Sequence, residues 1–397
     1  MKSWPTRPLR DVATVIRGVS FDKRQVGYEP KKNSIPILRA GNIRDSLLTD
    51  SDLIYVPEEL VREEQRMRRG DLAVCMSSGS AAVVGKTAHL ENDWSGSVGA
   101  FCAIVRFNGN LHHRLGSYWF RSPAFLQWRD SKAQGANIQN LRRTELEALS
   151  IPVPPMAAQK RIVKLLDESD ELRKRRAQAD HRTAELIPAL FHEMFESPHR
   201  VPVKPLDQLA AVVSGVAKGR KFNGEKPVTV AYLRVANVQA GYLDLTELKT
   251  IEALPREVEE LSLKKGDVLL TEGGDFDKLG RGAMLDQDLP NCIHQNHVFR
   301  VRCEQSQLLP EYFASFLLAQ NARLYFLRCA KKTSNLASIN MTQLRALPVP
   351  VPPLPLQKGF AERLREIRGL ESTQVQSRIR LDALFASLLD KAFKGEL

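Results

Sequence analysis

The sequence predicts an α+β protein of mixed α/β type: two duplicated domains separated by two long antiparallel, coiled-coil-like helices. Three observations predict it. A proline-rich line, SIPVPPMAAQK at Ser150–Lys160, returns as PVPVPPLPLQK at Pro348–Lys358, 198 positions later. Other segments return in the same order with offsets of 195 to 198: PLRDVATVIRG as PLDQLAAVVSG, LRAGNI as LRVANV, RRGDL as KKGDV, and RTELEALSIPVPP as MTQLRALPVPVPP. After each proline line, Gly and Pro nearly vanish. A nearly constant offset of this size marks two related domains rather than a short-period solenoid, whose repeats run about 20 to 50 residues.

Each copy reads in order as a domain, a connector and a helix. Residues 1–150 and 201–347 mix short alternating runs, such as Ala100–Phe107 and His297–Arg302, with Gly/Asp turns, and 310–330 reads as helical. The prolines lack the donor a central strand or helix needs and bias their predecessors to extended geometry, which predicts a stiff connector. The segments 151–200 and 348–397 hold connector plus helix. Ile162, Leu165, Leu166, Leu172, Ala179, Leu186, Leu190 and Met194, then Phe360, Leu364, Ile367, Leu370, Leu381, Leu384 and Leu388, recur at helical spacing. Gly395 sits where a C-terminal helix glycine belongs, and Pro188 inside the first run predicts a kink.

Composition bounds the function. The 397 residues are 43% hydrophobic and 26% charged, as in a globular protein, and no apolar run approaches the roughly 20 residues of a membrane span. The N-terminal segment lacks the apolar stretch of a signal peptide, so a cytoplasmic location is expected. Cys75, Cys102, Cys292, Cys303 and Cys329 never take a C-x-x-C spacing and read as small apolar fillers. A net charge of +12 and a pI near 9.5 point to an anionic partner, nucleic acid above all.

The segments LSIPVPPMAAQKRIVKLLDESDELRKRR with ELIPALFHEMF, and LPVPVPPLPLQKGFAERL with LFASLLDKAFKGEL, carry a resemblance. With the duplicated domains they make the whole chain resemble the specificity subunit of type I restriction-modification systems. The resemblance implies two target-recognition domains and two spacer helices. It implies a non-catalytic subunit that binds double-stranded DNA at a bipartite target and directs two methyltransferase subunits and restriction (translocase) subunits to it, with no cofactor of its own.

Other readings compete on the residues alone. Gly79–Thr87 looks like a phosphate-binding loop ending in Gly-Lys-Thr, but its interval is one residue too long for G-x-x-x-x-G-K-[ST]. Leu279–Gly282, its counterpart, has no following hydroxyl, so both read as Gly-rich turns. Cys292, His294 and His297 suggest a metal, yet on a strand positions 294 and 297 face opposite ways, and no metal is expected. No adenine-methyltransferase or hydrolase motif is found. A helical scaffold for protein partners that does not read DNA sequence remains the alternative.

Candidate DNA-binding residues cluster at related places: Arg39 and Asn42 beside Arg234 and Asn237; Ser77, Ser78, Ser80 and Lys86 beside Lys278 and Arg281; and His297. Arg and Asn can pair with guanine and adenine edges, whereas Lys and Ser mostly anchor phosphate. Arg68-Arg69-Gly-Asp71 and Lys264-Lys265-Gly-Asp267 read chiefly as turns, and Arg173–Arg176 as a solvated helix face. Leu190, Phe191 and Phe195 are the exposed apolar positions expected to receive helical partners.

Overall fold

The computed structural model describes residues 4–80, 82–132, 139–195, 201–222, 224–274, 279–332 and 337–397. It divides into two compact units, Met1–Ala177 with Gln376–Leu397, and Gln178–Val375. No described helix is long and apolar enough to cross a membrane.

In the first unit a four-stranded antiparallel sheet runs in the order β2 (Ala13–Arg17), β9 (Cys102–Phe107), β5 (Leu72–Cys75), β7 (Thr87–His89). A second sheet runs β4 (Ile54–Pro57), β3 (Ser34–Leu38), β8 (Ser97–Val98), with β3 and β8 parallel. Ribbons pair β1 (Thr6–Pro8) with β11 (Ser150–Pro152) and β6 (Ser77–Ser78) with β10 (Gln139–Asn140). The helices are α1 (Leu9–Val12), α2 (His113–Trp119), α3 (Pro123–Lys132), α4 (Arg143–Glu147) and α5 (Met156–Phe195), the last beginning in this unit.

The second unit repeats the plan. Its main sheet runs β13 (Ala210–Ser214), β20 (Val298–Cys303), β16 (Val268–Thr271), β18 (Gly282–Met284). The smaller sheet runs β15 (Lys249–Ala253), β14 (Val228–Leu233), β19 (Cys292–His294), again with one parallel pair. β12 (Val203–Pro205) pairs with β23 (Pro348–Pro350), and β17 (Gly273–Gly274), β22 (Ala337–Ser338) and β21 (Lys331–Lys332) form a ribbon. Helices α6 (Pro255–Leu261), α7 (Pro310–Leu318), α8 (Gln320–Cys329), α9 (Met341–Arg345) and the first part of α10 (Leu354–Lys394), which ends in the first unit, complete it. The helical run expected at 310–330 is thus two helices, parted by the extended backbone of Ala319.

The proline line opens as a three-residue strand rather than a lone extended connector: Ile151 pairs with Arg7, and Val349 with Lys204. Its last prolines then stand at the start of a long helix, where a missing amide hydrogen is no loss. The glutamine that follows explains why the motif ends as it does. Gln159 is buried; its Oε1 accepts from the His112 amide at 2.7 Å and its Nε2 donates to the Asn110 and Pro154 carbonyls at 3.0 and 2.9 Å. Gln357 repeats this with Leu309, Gln307 and Pro352 at 2.8, 3.0 and 2.8 Å. One side chain thereby clamps helix, proline line and domain together. Gln159→Leu strands three backbone groups at once and is expected to lower stability by about 2–4 kcal/mol, read from the denaturant midpoint.

Both long helices form as expected, and α5 continues through Pro188 to Phe195. Gly395, at φ 82°, ends α10 while the Glu396 amide donates back to the Lys391 carbonyl at 3.0 Å. Their closing turns, however, are core. In the second unit Phe191 is 6% exposed and its ring packs 5.6 Å from Tyr312 and 5.8 Å from Phe360. Phe195 lies 4.7 Å from Tyr312, and Leu190 packs on the same cluster. The three residues expected to be open to helical partners therefore close the chain's own second domain. In the first unit Phe385, Leu389 and Ala392 of α10 do the same beside Tyr118, Ile162 and Leu166. The basic run is also partly internal: Arg173 binds Asp382 at 2.6 Å and covers the Phe385 ring.

The RRGD and KKGD segments are turns, with Gly70 at φ 94° and Gly266 at φ 89°. Their aspartates do more. Buried Asp71 takes both ends of Arg106 at 2.9 and 2.7 Å, and Asp267 takes Arg302 at 2.7 and 2.8 Å, each pair 35 residues apart. Four cysteines are buried and all five are free, as fillers should be.

Two histidines, His294 buried and His89 half-buried, are expected to make stability fall in acid. His89 meets His113 at 2.8 Å beside His112, Arg114, Asp167 and Glu91, and burial holds it down to about 3. Burial also holds His294 down to about 4. The folded state then binds fewer protons than the unfolded chain below the ordinary histidine value of about 6.5. Stability present above that pH is expected to be lost progressively as pH falls toward 4 or 3, seen as a declining melting temperature, with a shallower decline in His89→Gln.

Candidate nucleic-acid interface

The site grows from the end of the smaller sheet. Where β3 stops, Arg39 opens a single 3-10 turn, Ala40–Asn42, whose closure depends on Asn42. The Asn42 Oδ1 accepts from the Arg39 amide at 2.8 Å, and its Nδ2 donates to the Leu48 and Ser51 carbonyls at 3.4 and 2.9 Å. The second unit builds the same loop: Asn237 accepts from the Arg234 amide at 3.0 Å and donates to Asp244 and Glu247 carbonyls at 2.7 and 3.1 Å. Asn42 and Asn237 are 1% and 3% exposed. They are therefore loop-builders with spent amides, not readers of adenine; the repeated LRAGNI and LRVANV record a turn that presents an arginine.

The two arginines differ. Arg39 is exposed and one guanidinium nitrogen donates to the Asp52 carbonyl at 3.1 Å. Arg234 is half-buried and paired with the Glu247 carboxylate at 2.7 Å. An arginine resting on a carbonyl keeps its full charge for an incoming anion, whereas one paired with a carboxylate must first give up that partner.

In the first unit Arg39 lines an open cleft of about 1030 Å³ together with Ser77, Ser78, Ser20, Tyr28 and Phe101, and with Asn42 in its wall. Ser80 and Lys86 are exposed but lie beyond this cleft, on the turn leading to β7. That turn is the Gly-Lys-Thr stretch: the Gly85 amide donates to Cys75 and the Lys86 amide to Val83, at 2.8 and 3.1 Å. A Cβ at Gly85 would meet the Arg129 side chain, and one at Gly280 would meet the Phe326 ring. Both glycines sit at positive φ, 75° and 69°, so the loops need glycine for their turns.

Arg281 is half-buried and donates to Gln239 Oε1 at 2.9 Å. Lys278 lies outside the described residues. His294 is buried, with Nδ1 2.7 Å from the Val298 carbonyl, while His297 is half-exposed and 2.5 Å from Glu272. The two histidines thus face different surroundings, but not by alternation on one strand: His294 ends β19, whereas His297 lies on the turn before β20.

Sequence reasoning passed over Phe101 and Tyr28, which are 68% and 78% exposed at the rim of the cleft. A sequence signal for Phe101 did exist in the repeat offset, since His297 stands 196 positions on, and the backbone agrees. The Met76 and Ser77 amides donate to its carbonyl at 2.8 and 3.1 Å, and the Glu272 amide donates to the His297 carbonyl at 3.0 Å. Phe101 and His297 immediately precede β9 and β20, so they hold equivalent places.

Two copies of one frame, each carrying an arginine-bearing turn and a differing side chain on an adjacent tip, are the build of a two-module recognition protein. The chain belongs to the type I restriction modification DNA specificity domain family, whose profile matches residues 1–179 and 202–379. It is 30% identical over 423 aligned positions to the type I restriction enzyme EcoKI specificity subunit of Escherichia coli (strain K12), covering 100% of this chain and 89% of that protein. It is 27% identical over 417 positions to the StySPI specificity subunit of Salmonella potsdam, with 100% and 89% covered. Among solved structures, one described as the basis of complex assembly and conformational transition of the type I R-M system matches with a TM-score of 0.63 at 16% identity, covering 100% of this chain and 99% of that one. The S subunit from M. genitalium matches at 0.57 and 14% identity, over 98% and 96%. At such identities the structural likeness speaks for the fold.

Proposed function

We infer that the chain reads a bipartite DNA duplex, one half-site with each unit, and directs methyltransferase and restriction subunits to it while performing no chemistry itself. The relatives named as specificity subunits, and the solved relative described in terms of complex assembly, support this reading. On this reading the chain acts in the cytoplasm, beside the DNA it marks. The observation that carries it is the duplicated arginine turn: the same asparagine-closed loop stands at 39–42 and 234–237, with different electrostatic partners. One frame used twice with different side chains is what two different half-sites require.

Reconstitution tests it. With labelled S-adenosylmethionine and DNA, the pure chain is expected to transfer no label until a methyltransferase subunit is added. Robust transfer by the chain alone would refute the non-catalytic assignment. Arg39→Ala is expected to weaken binding at the first half-site by about 1–3 kcal/mol if the contact is to a base. A uniform loss across all sequences, with a shallower salt dependence, would place Arg39 on phosphate instead.

A further inference from the structure

The tip position shared by the two units is occupied by unlike side chains, and this difference has a chemical direction. In the first unit Phe101 is fixed by two amides on its carbonyl, leaving a phenyl ring held largely in water beside Arg39, Ser77 and Ser78. A large exposed aromatic on a rigid turn, next to a cation and two hydroxyls, is unfavourable for the free protein and suited to a ligand with apolar faces and anionic edges. Nucleic acid is such a ligand: bases offer π faces and thymine methyls, and phosphates take the arginine and the hydroxyls. In the second unit the same place carries His297, bound to Glu272, an arrangement of polar donors and acceptors.

We propose that position 101, with its counterpart 297, is the specificity-determining tip of each unit: Phe101 packs against bases of one half-site through apolar contact, and the His297–Glu272 pair reads the other by hydrogen bonding. This deepens the bipartite reading above and rests on it. Phe101 adds shape and apolar selectivity that Arg39 cannot supply. The polar pair in the second unit favours exposed amino groups, since a carboxylate accepts from the cytosine N4 amine.

The test uses the full chain assembled with its methyltransferase subunits, mapping the methylated motif and measuring kcat/KM on a cognate duplex. Because Phe101 is exposed, Phe101→Ala should fold and assemble normally, as melting and sizing would report. It is expected to lower kcat/KM on the cognate duplex by about tenfold to a hundredfold, the range for losing an aromatic–base contact, and to relax the first half-site alone. Phe101→His should alter one or two positions of that half only, and His297→Phe one or two positions of the other only. An unchanged rate and motif for a folded, assembled Phe101→Ala complex would overturn the proposal. So would a loss of methylation traced to failed assembly, which would make Phe101 a protein-docking residue. If the wild-type complex itself yields no two-part motif, the bipartite reading fails first, and the Phe101 variants would then show no half-site effect.

Discussion

Replacing residues 1–150 with the first domain of another specificity subunit is expected to change one half of the methylated motif and leave the other intact. Methylation of the original target should fall roughly 100-fold or more, because each mismatched position costs about 1–3 kcal/mol and a half-site holds several. The replacement must respect one packing constraint. The first unit's core includes Ile162, Val163 and Leu166 of α5 and Phe385, Leu389 and Ala392 of α10, against Leu9, Leu115 and Tyr118 of the domain. A donor domain with matching small and large residues on that face should fold; one without should lose stability before specificity can be judged. A change in both halves of the motif would show that the units do not read separately.

Gly18→Ala should be the most damaging single methyl in the first unit, and Gly215→Ala in the second. A Cβ at Gly18 would overlap the Gly99 carbonyl, and one at Gly215 the His294 carbonyl. These are backbone atoms already fixed by the Val19 amide bound to Val98 at 2.8 Å and the Val216 amide bound to His294 at 2.9 Å. Neither wall can rotate away as a side chain would, so about 3 kcal/mol or more of stability should be lost. Phe101 and His297 follow the displaced segments by two and three residues, on the turns into β9 and β20, so binding should weaken with it. Thermal melting of each variant against the wild type measures the effect, and a loss under about 1 kcal/mol would show that the two strands part easily.

Much of this architecture was legible because the chain is written twice. The glycines ending PLRDVATVIRG and PLDQLAAVVSG, the asparagines of LRAGNI and LRVANV, and the glutamines after each proline line all proved to be places where backbone is held by one side chain or by the lack of one. Repetition marked them; it did not say whether they build or bind. Asn42 and Asn237 were expected to face DNA because amides suit adenine edges, yet a buried amide with all its hydrogens committed has nothing to offer a base. The burial came from carbonyls nine and ten residues away, a tertiary closure that no local pattern carries.

The converse error concerns what differs between the copies. Phe101 has no counterpart of its own kind, so a search for repeated residues slides past it; the offset of 196 to His297 and the shared strand register show that the two stand in the same place. Phe191 and Phe195 misled for a related reason. An apolar stripe on a long helix implies a covering surface, but periodicity cannot tell whether that surface belongs to a partner or to a domain more than a hundred residues onward. The Asp71–Arg106 and Asp267–Arg302 pairs, in contrast, were available: both partners recur at the same 35-residue separation.

The most direct measurement is a map of methylated positions in the genome of a host carrying this chain with its methyltransferase subunit. Two units reading separately predict a single motif of two short specified halves parted by an unspecified gap, present only when the chain is expressed. A continuous motif without a gap, or methylation unchanged when the chain is withheld, would contradict the account.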